Sequence, residues 1–223
     1  MAEKKIRRTQ AERTETTRQA LIEATIQRLN SHGYAGATLA LIAQAAGVSR
    51  GSILHQFGTR AALMTEVVKA TYAEERSFFA ELIPRSPNRG HKASDWASIT
   101  WQVLSRPSAT AVLEILQGSR SDPELAEQLR PAQAEIERSG MAVLTAFHAL
   151  DQSNAEDRAI YRLLVASVRG LSLQTLTADR KDLDDAIAML SSLIALRERA
   201  KDAGAATAPA ETPTAKATKR QAR

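Results

Sequence analysis

The sequence has no cysteine and few aromatic residues, which fill only 4% of its 223 positions. Without cysteine the chain can form no disulfide and offers no thiolate to a metal. No apolar run approaches the roughly 18 residues that a membrane-spanning helix requires, and residues 1–13 carry several charges and no apolar segment of a signal peptide. These absences predict a cytoplasmic protein that does not enter a membrane.

The usual patterns of enzyme active sites are also missing from the sequence. The four histidines, at positions 32, 55, 91 and 148, lack the spacing of metal-binding pairs. No glycine-rich loop of the kind that binds phosphate is present, because Gly33 and Gly36 alone form too short a pattern. We therefore expect a protein that is not an enzyme and that has neither a cofactor nor a metal site.

The residues that are abundant favour an all-α fold of about nine helices, since alanine, leucine, glutamate, glutamine and arginine are good helix formers. Apolar spacing and capping residues predict helices over 13–33, 38–46, 49–57, 59–83, 95–105, 108–118, 122–150, 155–177 and 181–200. Pro131 is expected to kink or split the seventh helix. Residues 84–94, rich in Pro, Ser, Asn and Gly, are expected to form a loop.

Charge is distributed unevenly along the chain. Residues 1–60 contain nine Lys or Arg and four acids, residues 61–199 contain sixteen and nineteen, and residues 200–223 contain five and two. A basic head on a nearly neutral body is typical of a DNA-binding regulator, although solvated basic ends are an equal alternative. We predict a disordered basic arm over 1–12, a DNA-binding domain over 13–60, a helical domain over 61–200 and a disordered tail over 201–223.

The segment around 37–56 has the pattern of a helix-turn-helix. Thr38 and Ser49 are placed to cap two short helices, and Gly47 lies between them, where a tight turn requires a left-handed residue. Ile42 and Ile53 supply the apolar contact between the helices. This geometry leaves the polar residues of the second helix free to enter a major groove.

Over about 50 residues the sequence resembles the N-terminal domain of the tetracycline-repressor (TetR) family. The residues that carry this resemblance are Gly33, Tyr34, Thr38, Ile42, Ala43, Ala46, Gly47, Val48, Ser49, Gly51, Phe57 and Arg60. The resemblance implies an N-terminal three-helix DNA-binding domain followed by a helical domain for effector binding and dimerisation. It also implies a cytoplasmic bacterial repressor that binds DNA as a homodimer.

Residues expected to contact DNA follow from the motif and from this resemblance. They are Thr38, Gln44, Ser49, Arg50, Gly51, Ser52, His55, Gln56 and Arg60. Arg50 is the candidate for a base contact, with a contact to phosphate alone as the alternative. Where the family commonly has a phosphate-binding tyrosine, this chain has Leu54, which we expect to pack against its neighbours. Arg60 replaces the usual lysine and is expected to bind phosphate.

Two further sites are expected in the helical domain. The last two predicted helices are apolar on two sides, which favours a dimer interface through Leu164, Val168, Leu171, Ile187, Leu190 and Ile194. A larger monomeric core is the alternative. The scarce aromatic and soft apolar residues of the middle helices suggest a pocket for a small apolar or aromatic effector, formed by Phe78, Trp96, Trp101, Met141, Phe147 and His148, with Phe79 in the same cluster. Ordinary core packing is the alternative for each of them.

The sequence thus predicts a sequence-specific regulator, a repressor that a small molecule releases from a partially palindromic operator. A non-specific architectural DNA-binding protein is the alternative, suggested by the Ala-, Pro- and Lys-rich tail.

Overall fold

The chain folds into helices throughout the residues that the computed structural model describes, which are 9–82, 94–146 and 150–207. The all-α prediction is therefore confirmed. None of the described helices is both long and apolar enough to cross a membrane. In chain order they are α1 (Gln10–Gly36), α2 (Leu39–Ala46), α3 (Arg50–Phe57), α4 (Arg60–Leu82), α5 (Asp95–Leu104), α6 (Pro107–Gly118), α7 (Pro123–Ala146), α8 (Ala155–Gln174) and α9 (Arg180–Thr207).

Hydroxyl caps set the N-terminal ends of the three helices after α1, as their sequence predicts. The Thr38 hydroxyl accepts a hydrogen bond from the amide of Leu41 at 3.4 Å, Ser49 accepts one from Ser52 at 3.1 Å, and Thr59 accepts one from Ala62 at 3.1 Å. Each cap satisfies one of the amides that the first turn of a helix leaves without a partner.

The first helix begins earlier than expected. Thr9 and Glu12 form a capping box, in which the Glu12 amide donates to the Thr9 hydroxyl at 3.2 Å and the Thr9 amide donates to the Glu12 carboxylate at 2.7 Å. Residues 10–12 therefore belong to α1 and not to a disordered arm. The basic residues Lys4, Lys5, Arg7 and Arg8 of that arm lie outside the described residues.

The last helix also extends beyond its predicted end at residue 200. Asp157 of α8 is buried, and its carboxylate accepts hydrogen bonds from Arg197 and, at 3.2 Å, from Lys201. This pairing fixes the C-terminal half of α9 against the start of α8. Residues 201–207 are therefore helical, contrary to the expected tail, and residues 208–223 lie outside the described residues.

Pro131 lies inside α7 and does not split it. A proline removes one amide from the helical hydrogen-bond ladder. Leu129 and Ala132, on either side of it, are buried. Their burial offsets the lost hydrogen bond, and α7 runs from Pro123 to Ala146.

The described helices enclose two apolar cores. The first contains Leu21, Ile42, Ile53 and Leu63 of the N-terminal helices, together with Ile115 of α6 and Leu125 and Leu129 of α7. The second joins α5, the end of α7, α8 and α9. The first core thus continues past residue 60 into α4, α6 and α7, so the head and the body share a packed junction.

Candidate DNA-binding site and regulatory cavity

Helices α2 and α3 form the helix-turn-helix. Gly47 ends α2 with φ 66° and ψ 30°, a left-handed conformation that costs glycine little. Ile42, Ala43 and Ile53 are buried where the two helices pack against each other and against the first apolar core. Ile53 is the buried residue of α3, and Phe57, partly buried, packs against the same core. The side of α3 that faces away from this core is exposed.

Most residues expected to contact DNA are accessible on this surface. Ser49, Gly51, Ser52, His55 and Gln56 line one groove beside α3. Ser49 and Ser52 also share a 2.9 Å hydrogen bond between their hydroxyls, which fixes the first turn of the recognition helix. The remaining expected residues of the motif, Thr38, Gln44 and Arg50, are exposed outside this groove.

The other wall of the groove was not predicted from the sequence. The first two turns of α1 supply it, through Gln10, Arg13, Thr14 and Thr17. The Thr9 to Glu12 spacing is the signal that places this turn in a helix, because it is the pattern of a capping box. Arg13 thereby becomes a cation beside the recognition helix.

Leu54 corrects one expectation about α3. It is not packed into the core, since 40% of the residue is exposed on the recognition helix. The neighbouring Ile53 already occupies the inward direction, and successive helical residues point about 100° apart. Leu54 therefore presents an apolar side chain on the DNA-facing helix.

Arg60 corrects a second expectation. Its guanidinium lies over the Tyr34 ring, 3.9 Å from the centroid, and donates hydrogen bonds to the carbonyls of Tyr34 and Ala37. It also lies 3.9 Å from the carboxylate of Asp122. These partners at the end of α1 and the start of α7 occupy the side chain, so Arg60 connects the head to the body instead of standing free for phosphate.

Tyr34 completes this junction between head and body. Its hydroxyl donates to Asp122, and its amide donates to the Glu114 carboxylate of α6 at 3.1 Å. Burial, followed by the hydrogen bond to Asp122, raises the pKa of Tyr34 to about 12. The hydrogen bond from Tyr34 is the largest of the contacts that lower the pKa of Asp122 below its ordinary value. Helices α1, α4, α6 and α7 therefore meet at Arg60, Tyr34 and Asp122.

A mostly apolar cavity of about 90 Å³ lies in the body, between α4, α5, α7 and α8. Its polar groups include Glu75 of α4 and Arg169 of α8. Burial raises the pKa of the Glu75 carboxyl to about 7. A groove of about 450 Å³ between α4 and α7 adjoins it, and Tyr72 and Ile136 line both spaces.

The predicted pocket residues are distributed differently from the expectation. Trp96 lines the cavity, whereas Trp101 is buried in the second core without reaching it. Phe78 lies under the Arg106 guanidinium at 3.4 Å, and its neighbour Phe79 lines the cavity instead. Met141 lines a separate surface groove. Phe147 and His148 lie outside the described residues.

The predicted dimer residues face mainly inward. Leu164, Val168, Ile187 and Ile194 are buried in the second core of the same chain, with Leu171 and Leu190 partly buried against it. The exposed apolar residues of α8 and α9 are instead Leu163, Met189, Leu193 and Leu196, each at least 57% exposed. The two helices are apolar on two sides, as predicted. The face that was expected to contact a partner packs instead in the core of the same chain.

Comparisons with known proteins agree with this architecture. Residues 21–67 match the family described as bacterial regulatory proteins, tetR family. The chain is 31% identical over 186 residues to the HTH-type transcriptional regulator CymR of Pseudomonas putida, covering 79% of this chain and 87% of CymR. It is 30% identical over 112 residues to the HTH-type transcriptional repressor AcnR of Corynebacterium efficiens, covering 48% of this chain and 53% of AcnR.

A solved structure extends the likeness to the body. The multidrug binding protein EbrR, crystallised with imidazole, superposes with a TM-score of 0.58 at 25% identity, over 79% of this chain and 93% of EbrR. The match thus includes the helices after the recognition motif. Together with the helix-turn-helix geometry, these relatives establish that the chain belongs to the tetR family of bacterial regulatory proteins and is a DNA-binding transcriptional regulator.

Proposed function

We propose that the protein is a repressor that binds a partially palindromic operator as a homodimer and leaves it when a small molecule fills the cavity of the body. The observation that carries this proposal is the path of α4. Its first residue, Arg60, lies in the junction with the head, and Tyr72, Glu75 and Phe79 further along it line the cavity. At 1.5 Å per residue these positions lie roughly 18–28 Å from Arg60.

The size of the cavity supports release by a ligand. A space of about 90 Å³ is smaller than the roughly 150 Å³ cavity that accommodates benzene in an engineered protein. A ring-sized ligand must therefore separate Tyr72 of α4 from Ile136 of α7, which line both the cavity and the outer groove. Such a ligand binds better to an arrangement with α4 displaced, and it shifts the population toward that arrangement.

The unpartnered stripe on the last two helices supports the homodimer. Leu163 on α8 and Met189, Leu193 and Leu196 on α9 are exposed at helical spacing. Among the described residues, a Cβ placed on Gly170 would meet no atom within 4 Å beyond its own stretch of helix, so a partner helix has room to approach there. Two copies joined through this stripe present two recognition helices related by a two-fold axis, and a partial palindrome mirrors that symmetry.

The names of the relatives agree with repression and with ligand binding. AcnR is named a transcriptional repressor, and EbrR is named a multidrug binding protein. A dimer that covers a promoter represses by excluding polymerase, and a ligand that displaces α4 ends that exclusion.

The test is a footprint of the purified protein on DNA upstream of its own gene and the neighbouring genes, at about 150 mM salt with random duplex as competitor. We expect protection of a partial palindrome. A small-molecule library without a charge bias is then screened for compounds that remove the footprint.

The outcomes separate the competing functions. Protection that random DNA abolishes would indicate an architectural protein without an operator. A specific footprint that no compound relieves would retain the DNA-binding regulator and remove the effector. The variant Trp96→Ala removes a large side chain from the cavity wall and so enlarges the cavity. It should alter the response to an active compound without abolishing the footprint.

A further inference from the structure

Among the described residues that line the cavity, Glu75 and Arg169 are the two that can carry charge at neutral pH. Glu75 is 5% exposed and has no hydrogen bond or ion pair within the part of the chain that the structure describes. Arg169 donates a hydrogen bond to the Tyr72 hydroxyl and also lines the cavity. A buried carboxyl without a partner costs free energy that a suitable ligand recovers.

The charges around Glu75 come from several elements. Arg169 of α8 and Arg106, just before α6, act to lower its pKa, whereas Glu74 of α4 acts to raise it. Within the described part of the lining, Tyr72 of α4 and Tyr161 of α8 are the other titratable groups, and α5 and α7 contribute uncharged residues. Burial is the largest influence on Glu75, and its pKa lies near 7.

Charge balance disfavours a cationic ligand at these groups and is compatible with an anionic one. A carboxylate placed between Arg169 and a neutral Glu75 leaves no net charge in the cavity, because the carboxylate balances the guanidinium and Glu75 donates its proton in a hydrogen bond. An amine paired with an ionised Glu75 leaves one net positive charge with Arg169, which a cavity of low dielectric disfavours.

We infer that the cavity binds a small organic monocarboxylate through Arg169 and the protonated carboxyl of Glu75, and that binding takes up a proton from solution when Glu75 is ionised beforehand. This inference rests on the proposed effector site and names the chemistry of its ligand. The apolar part of the ligand lies against Phe79, Trp96 and Leu164.

The approach to the cavity favours the same charge. Lys69 and Arg76 lie on the α4 side of the adjoining groove, where Lys69 is paired with Glu66 at 2.7 Å, while Glu135 on the α7 side is paired with Arg138. These two ion pairs cancel, and the positive charge of Arg76 at the entrance attracts an anion by Coulomb forces at moderate salt. A ligand that passes Tyr72 and Ile136 then reaches Arg169.

The test measures binding to the full-length wild-type protein by isothermal titration calorimetry. Benzoate, cyclohexanecarboxylate and hexanoate are each compared with the amide and the amine of the same carbon skeleton. We expect the carboxylates to bind at least tenfold more tightly than their amides, and the amines to bind most weakly. No preference for carboxylates, or a preference for the amines, would overturn the inference.

The pH dependence provides a second readout that needs no variant. The apparent Kd should rise only about twofold between pH 6 and 7, where at least half of Glu75 is protonated, and by roughly tenfold per pH unit between pH 7.5 and 9. Tyr72 and Tyr161 stay protonated in this range because burial raises both of their pKa values, that of Tyr161 to about 12. Uptake of close to one proton at pH 8.5, measured in buffers of different ionisation enthalpy, is expected. Proton release would contradict the inference.

Two variants separate the roles of the two groups. Glu75→Gln should bind benzoate with a Kd that no longer changes between pH 7 and 9, because the amide donates a hydrogen bond at every pH. The Kd of Arg169→Met for benzoate should be at least 30-fold higher than that of the wild type. The control Arg162→Met, on the exposed face of α8 beside Glu137, should bind benzoate like the wild type. If neutral or cationic compounds from the unbiased screen release the operator and carboxylates do not, the ligand inference fails while the proposed repressor function stands.

Discussion

The hydroxyl of Tyr34 donates a 2.7 Å hydrogen bond to one carboxylate oxygen of Asp122, whose other oxygen accepts the amide of Leu125 at 3.1 Å. One carboxylate therefore joins the end of α1 to the first turn of α7. Arg60, the first residue of α4, lies against both partners. The head and the ligand-binding body are connected through a small set of polar contacts that single substitutions can remove.

Removing the Tyr34 hydroxyl should weaken this connection in a pH-dependent way. The hydrogen bond from this hydroxyl has the largest effect among the contacts that lower the pKa of Asp122. An acid whose pKa is lowered by folding stabilises the fold at pH values above its pKa in the unfolded chain, and this contribution is lost as the pH falls. Tyr34→Phe should therefore reduce the free energy of unfolding by about 1 kcal/mol at pH 7, with a smaller difference near pH 3. Urea unfolding at several pH values measures this. Tyr161→Phe is the control for loss of a hydroxyl, and an equal, pH-independent loss in both variants would refute the prediction.

Gly118 is the position where α6 accommodates the Tyr34 ring. A Cβ at Gly118 would lie 2.2 Å from the ring, well inside van der Waals contact. Gly118→Ala should destabilise the protein by about 1–3 kcal/mol, because the ring must move away from α6 and from Asp122. Gly51→Ala, where the nearest atom lies at 3.6 Å, serves as the control for adding a methyl group to a helix. Thermal unfolding of both variants decides, and equal melting temperatures would contradict this packing.

The two arginines Arg13 and Arg60 should differ in the salt dependence of DNA binding. Arg13 lines the groove beside α3, whereas Arg60 is occupied by Tyr34, Ala37 and Asp122. Arg13→Ala should lower the slope of log K against log salt by about one unit, as loss of one phosphate contact does. Arg60→Ala should leave that slope unchanged and lower stability. Fluorescence anisotropy from 50 to 300 mM salt separates the two, and a reduced slope in Arg60→Ala alone would reverse these roles.

Arg50 should determine sequence preference. It is exposed at the first position of the recognition helix, and arginine there pairs with guanine through two hydrogen bonds worth about 1–3 kcal/mol of discrimination. Arg50→Ala should reduce affinity for the operator by roughly 5–150-fold while affinity for random duplex falls much less. Gln44→Ala, on the exposed side of α2, is the comparison. Equal losses on both DNAs would make Arg50 a phosphate contact.

The exposed stripe of α9 should determine the oligomeric state. Leu193→Glu places a charge among Leu163, Met189 and Leu196, and burying an unpaired carboxylate is costly. We expect the wild type to sediment as a dimer and the variant to sediment as a monomer at the same concentration. Leu82→Glu, also at an exposed leucine but on α4, should not change the mass. A monomeric wild type, or loss of the dimer in both variants, would refute this interface.

The helix-turn-helix was predictable because its determinants are local. Thr38, Gly47 and Ser49 act within three or four residues of themselves, so spacing along the chain is sufficient to place them. Arg60 was misassigned for the opposite reason. Its partner Asp122 is distant in sequence, and nothing local distinguishes a guanidinium bound to protein from one that awaits phosphate.

The face expected at a dimer interface was assigned one residue away around its helix. Leu163 is exposed where Leu164 was expected, and of the neighbouring Phe78 and Phe79, both expected at the cavity, Phe79 is the one that lines it. Adjacent residues point about 100° apart, and on a helix with two apolar faces the periodicity does not distinguish the face that packs within the chain. Tertiary packing makes that choice.

The recognition helix contributes one buried residue, Ile53, to the head core, whereas Trp96 and Leu164 at the cavity are themselves core residues. Substitutions at the exposed Arg50, Leu54 or His55 consequently cost little folding free energy, and we expect them to change the DNA sequence that is read. A change of ligand alters side chains that also support the body. We therefore expect related proteins to acquire new operators through single substitutions as they diverge. New ligands would require compensating changes elsewhere in the core.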